Sequence, residues 1–141
     1  MGCIITEYAP HHTEPLRQLY LAARQQAFTW LDSAQFALAD FDTVTQGETI
    51  LVALLQDQPV GFIAWWPPDN FIHFLFVAPA QAGSGVGKAL LQACLAQIGR
   101  PATLKCLQQN SSALGFYQHL GWTIQDVGTS SEGPYYLLRL L

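Results

Sequence analysis

A chain of 141 residues, half of them hydrophobic and 11% charged, carries a formal net charge of −4, a make-up that suits one globular domain with a sizeable core. Its six basic residues, Arg17, Arg24, Lys88, Arg100, Lys105 and Arg139, are too few for a nucleic-acid groove, and a cationic substrate suits the balance better. Three widely spaced cysteines exclude a disulfide framework and a zinc site, and no apolar run reaches the roughly 20 residues of a membrane span, so the expectation is a cytoplasmic protein without metal, membrane or nucleic-acid partner.

Cys3 to Ala9 is rich in β-formers and ends at Pro10, which reads as a first strand and a turn. From Glu14 the residues Leu16, Leu19, Tyr20, Ala23 and Ala27 recur at three and four, the period of an amphipathic helix, with Thr13 as a cap and Pro15 in its first turn. Phe28 and Trp30 end it. Asp32 and Ser33 offer a cap for a short helix through Leu38. Ala39 to Glu48 mixes acids, threonines and a glycine without period and reads as a loop.

Thr49 to Gln56 and Pro59 to Trp66 form a hairpin joined at Asp57-Gln58. Trp66 to Asn70 forces a turn, and Phe71 to Val77 is a third strand of that meander. Val86, Leu90, Leu91, Cys94, Leu95 and Ile98 trace a helical stripe that Gly99-Arg100-Pro101 stops. Ala102 to Leu107 is a strand, Asn110 to His119 a capped helix, and Trp122 to Val127 and Tyr135 to Leu140 are closing strands. The order predicts a mixed α/β sheet with helices on its faces and one parallel β-α-β crossover around the helix between Val77 and Ala102.

The most informative stretch is Phe71 to Leu91, FIHFLFVAPAQAGSGVGKALL, a strand, a glycine loop and a helix start. Gly83, Gly85 and Gly87 leave backbone N–H groups unshielded where a helix begins, a natural seat for a phosphate. A P-loop would need glycine at Ala82 and a magnesium-binding hydroxyl at Ala89, and the dinucleotide fingerprint would need glycine at Lys88. Neither pattern is met.

The segment Val77-Ala78-Pro79, followed by Ala82, Gly83, Ser84, Gly85, Val86, Gly87 and Lys88, resembles the acyl-CoA loop of the GNAT family of N-acetyltransferases. Ala82 departs from the family's Gln or Arg. Asn110 to Trp122, with Ala113, Phe116, Tyr117 and Gly121, resembles the family's second motif, with Trp122 for Phe. The resemblance implies a GNAT-like, mostly antiparallel twisted sheet with helices on both faces, in one domain over residues 1–141. It also implies acetyl-CoA as cosubstrate, without metal, and an amine-bearing small molecule or protein as acceptor. A non-catalytic acyl-CoA-binding module is the alternative, and monomer and homodimer both stay open.

Acetyl transfer needs a neutral amine, donors for the oxyanion and a proton for the departing thiolate. Holding a lysine-like amine deprotonated at pH 7 costs about 4.6 kcal/mol, so a base or a desolvating wall must help. The resemblance implies Tyr117 as proton donor, Asn110 on the pantetheine or pyrophosphate arm, and backbone groups of Phe76 and Val77 on the acyl arm, where the strand splays from its neighbour. His73 is the one titratable side chain of the central strands and the candidate base, ahead of Glu48 and Asp42. Phe28, Trp30, Trp65 and Trp66 are candidates to line the acceptor pocket.

Overall fold

The computed structural model describes residues 2–141. Seven strands form one sheet: β1 (Ile4–Glu7), β2 (Thr49–Leu55), β3 (Gln58–Trp66), β4 (Phe71–Val77), β5 (Ala102–Leu107), β6 (Thr123–Ser130) and β7 (Gly133–Leu140). Their spatial order is β1-β2-β3-β4-β5-β7-β6, and every neighbouring pair is antiparallel except β4 and β5. Four α-helices flank it, α1 (Thr13–Ala27), α2 (Asp40–Val44), α3 (Val86–Leu95) and α4 (Ser111–His119). None of them is long and apolar enough to cross a membrane.

Alternation of strand side chains between the two covered faces and the 3.6-residue stripe on the helices sort the core into two layers. On one face Leu16, Leu19 and Tyr20 of α1 meet Phe41, Val52 and Phe62. On the other, Val86, Leu90, Leu91 and Cys94 of α3 meet Ile63, Trp65, Ile72 and Leu104, with Tyr117 of α4 and Trp122 in the same cluster. Burying each large side chain contributes roughly 1.5–3 kcal/mol. Gly61 lets α3 lie close on the sheet: a Cβ there would stand 3.0 Å from Val86 Cγ1, 3.1 Å from Leu90 Cδ1 and 3.1 Å from the Phe76 carbonyl oxygen.

Three local expectations change. The stretch from Ala39 to Glu48 contains α2, whose Phe41 is buried and whose Asp40 accepts the Ala37 N–H at 2.9 Å; five residues are too few to show a period. The helix expected through Leu38 is a single 3-10 turn, Ser33–Gln35, although Asp32 does cap it. Phe36 leaves that turn extended and places its ring 4.4 Å from the Arg24 guanidinium. The hairpin turn is Gln56-Asp57, both in the left-handed region at φ 51° and 64°, which matches a type I′ connection.

Candidate active site

β4 and β5 start side by side and then part. Only Phe71 opposite Thr103 and Ile72 opposite Leu104 are paired, so the rest of β4 has a partner on one edge alone. On the other edge, β4 pairs with β3. Ala78 donates its N–H to the Val60 carbonyl at 2.8 Å, and Phe76 stands opposite Phe62. Alternation then turns the backbone groups of Phe74, Phe76 and Ala78 towards β3 and those of Leu75 and Val77 into the gap. Of the two residues expected to offer backbone groups, Val77 faces the gap and Phe76 faces β3, with Leu75 on the open edge instead.

Beyond β4 the chain makes the glycine loop. Gly83 and Gly85 hold φ of +79° and +89°, and a Cβ on either would meet nothing within 4 Å. A side chain is disfavoured there by backbone conformation, and the space above the loop is open. α3 begins without a side-chain cap, and the Ala89 N–H returns to the Gly85 carbonyl at 3.0 Å. The N–H groups of Val86, Gly87 and Lys88 precede that first helical bond and point out of the helix start, where the dipole favours an anion. Ser84 turns back to give its hydroxyl to the Gln81 carbonyl at 2.5 Å. The Ala82 N–H closes on the Pro79 carbonyl at 3.3 Å, and the Lys88 side chain is exposed.

The gap between β4 and β5 opens into a cavity of about 300 Å³ that brings His73, Phe76, Asn110, Tyr117 and Phe28 together. Asn110 Oδ1 caps α4 by accepting the Ala113 N–H at 3.4 Å. Tyr117 is buried, edge-on to Trp122 at 5.9 Å. Burial pushes its phenol well above the ordinary value, with the Cys106 and Cys94 thiols adding to the shift, so it is a neutral O–H donor throughout the physiological range.

His73 enters from the opposite layer. Trp65 pairs with Ile72 and Ala64 with Phe74, which leaves His73 as the extra residue of a β-bulge. Its Nδ1 is 2.8 Å from Glu48 Oε2. Phe28 lines the cavity and meets Phe76 edge-on at 6.1 Å.

The other candidates lie elsewhere. Trp30 stands outside the cavity lining and donates its indole N–H to the Glu132 carbonyl at 3.1 Å, tying the chain after α1 to the β6–β7 turn. Trp65, 3% exposed, is part of the α3-side core. Trp66 is 41% exposed. Asp42 is engaged with Arg17 at 2.6 Å. Conversely, Leu75, Tyr20, Lys105 and Glu132 line the cavity without having been singled out. Counting back two residues from Val77 would have found Leu75. Tyr20 read as part of a core stripe, and burial does push its phenol up to about 12. Lys105, between the buried Leu104 and Cys106, was legible as facing the other side of the sheet.

The sheet thus parts beside an uncapped helix start that favours an anion, with a neutral phenol and an imidazole reaching one gap from opposite layers. Residues 13–122 match the sequence profile of the acetyltransferase (GNAT) family, and the chain belongs to that family. It is 33% identical over 92 residues to the peptidyl-lysine N-acetyltransferase YjaB of Salmonella typhimurium, a match covering 61% of this chain and 59% of that protein. The 5-NmdU N-acetyltransferase of Pseudomonas phage PaMx11 is 34% identical over 67 residues, 47% of this chain and 48% of that protein. The chain thus matches about half to three fifths of the length of these relatives. The PaiA N-acetyltransferase of Thermoplasma acidophilum, solved with coenzyme A, shares the fold with a TM-score of 0.80 at 16% identity, covering 99% of this chain and 98% of that one.

Proposed function

We propose that the protein transfers the acetyl group of acetyl-CoA to a primary amine of a protein or small molecule, by direct attack while both are bound. The observation that carries this reading is the shared cavity: His73 and Tyr117 line it from opposite layers, beside the unpaired Leu75 and Val77 edge of β4. The residues present fit the cosubstrate. The free N–H groups at the start of α3 and the open space over Gly83 and Gly85 suit its diphosphate. The edge of β4 and the Asn110 amide suit its pantetheine arm.

When bound, acetyl-CoA supplies an acetyl group activated as a thioester. The chain's own part is to bind, orient and move protons. Phe28, Phe74 and Phe76 surround the acceptor with apolar wall, which disfavours its ammonium form. His73 takes the amine proton, the Tyr117 hydroxyl donates to the departing sulfur, and a β4 N–H faces the acyl oxygen. The relative named as a peptidyl-lysine acetyltransferase supports a lysine-type amine as acceptor.

The test is thiol release from acetyl-CoA across lysine peptides, polyamines and amino acids, with the acetylated product read by mass. Amine-dependent release with a product heavier by one acetyl group is expected. Acetyl-CoA binding without amine-dependent release from any of them would reduce the protein to an acyl-CoA-binding module.

A further inference from the structure

We propose that Glu48 is a positioning residue that decides which nitrogen of His73 accepts the substrate's proton; this rests on His73 being the base. The bulge in β4 sets His73 Nδ1 2.8 Å from Glu48 Oε2, across the entry to β2. The two partners are enclosed very differently. The Glu48 side chain is 7% exposed and the imidazole 44%. Glu48 Oε1 is buried with no hydrogen-bond partner among the described residues, so the bond to His73 is the one its carboxylate group receives from the chain.

An ionised carboxylate only accepts hydrogen bonds. Enclosed as it is, Glu48 is satisfied only if the imidazole proton sits on Nδ1, because a bare Nδ1 would set a lone pair against a lone pair. That choice leaves Nε2 without a proton, on the ring edge turned away from Glu48. An imidazole with no such partner carries its proton mainly on Nε2 and has no base to offer there. The orienting logic is that of a carboxylate behind a catalytic or metal-bound histidine.

The proton balance then closes. The amine's lone pair forms the C–N bond to the acyl carbon and one N–H proton passes to Nε2, while the C–S bond breaks with its pair on sulfur, which takes the Tyr117 hydroxyl proton before water restores the phenol. The imidazolium stands against the Glu48 carboxylate until its exposed ring returns the Nε2 proton to water. Glu48 itself touches no reacting atom.

Two-bond proton–nitrogen spectra of the intact protein, recorded about two pH units above the ordinary imidazole range, read the tautomer directly. The expected result is a protonated Nδ1 and a bare Nε2 in the native protein, reverting to Nε2–H in Glu48→Ala. Amine-dependent thiol release should fall ~10- to 100-fold in Glu48→Ala with acetyl-CoA affinity unchanged. The double variant with His73→Ala should be no slower than His73→Ala alone, because Glu48 acts through His73. The native spectrum needs no substitution, so it decides the matter even if Glu48→Ala folds poorly. An Nε2–H tautomer in the native protein, or losses that multiply in the double variant, would overturn the proposal. Full turnover in His73→Ala would instead remove His73 as the base, and Glu48's part with it.

Discussion

The imidazole of His73 lies against the ring of Phe74, centroids 4.0 Å apart and planes 28° from parallel, although the two residues are consecutive in one strand. Neighbours in a regular strand point to opposite faces. The bulge cancels that alternation once, so Ile72 stays in the α3-side core while His73 and Phe74 both turn to the α1 side. Phe71 joins them with its ring 5.7 Å from His73. One extra residue thereby places an imidazole in the aromatic wall of the cavity.

Removing that imidazole should cost more stability than its exposure suggests. His73→Ala leaves both oxygens of an enclosed carboxylate without partners, a penalty of about 1–3 kcal/mol, where an ordinary exposed site costs within ~0.5 kcal/mol. Urea unfolding measures it. Turnover should drop ~10²- to 10⁴-fold at the same time, and a variant as stable as the native protein would show that Glu48 finds another partner.

Tyr117→Phe should separate chemistry from folding. The phenol has no hydrogen-bond partner among the described residues, and burial holds it neutral, so deleting its oxygen leaves no group orphaned. With no hydrogen bond lost, stability should change by no more than about 1 kcal/mol, and acetyl-CoA should still bind. Turnover should fall ~10²-fold or more; unchanged thiol release would take the phenol out of the reaction.

Two glycine substitutions should fail for different reasons. In Gly61→Ala the new methyl meets Val86, Leu90 and the Phe76 carbonyl at 3.0–3.1 Å, which forces α3 off the sheet at a cost of about 1–3 kcal/mol. In Gly85→Ala the methyl meets nothing, and only the left-handed backbone resists, by about 1–2 kcal/mol. Calorimetric titration with coenzyme A should nevertheless show the larger loss for Gly85→Ala, whose methyl projects into the space assigned to the diphosphate. Equal affinity in that variant would move the diphosphate elsewhere.

Alkaline stability follows from the buried acids. Burial pushes the Cys106 thiol up to about 11, Cys94 to about 12 and Tyr20 to about 12. Each folded value lies above its unfolded one, so above pH ~9 the unfolded chain has lost protons that the native state still holds. The slope of stability against pH is then negative, with the stabilisation present below the unfolded values and lost as pH rises through the folded ones. Urea midpoints should decline steadily from about pH 9 to 12, and Cys94→Ala should flatten the early part of that decline. A midpoint constant across the window would contradict the buried placement of these groups.

Much of this was legible in the residues. Phe71 to Val77, Ala102 to Leu107 and the Asn110-capped helix fall where their patterns put them, because long apolar runs bounded by Pro, Gly and Asn admit few alternatives. The parting of β4 from β5 was not legible from residue pattern alone. The run FIHFLFV is apolar at nearly every position, so its sequence cannot show that one backbone edge goes unpaired. The burial of Glu48 was hidden as well, since a polar loop residue looks solvated until the bulge at His73 is known. Trp65 misled for the opposite reason: an aromatic beside an expected site fills a core as readily as it lines a pocket.

The two-rung pairing of β4 with β5 divides the sheet into half-sheets of four and three strands, joined along that line by little backbone bonding. A pantetheine arm laid along Leu75 and Val77 would act as a prosthetic strand, bonding to the edge that β5 abandons. Cosubstrate binding then doubles as a structural suture. At a hundredfold excess over Kd it would add about 2.7 kcal/mol to stability. Slowed amide exchange should follow along the whole β4–β5 seam, including rungs that the arm itself never touches.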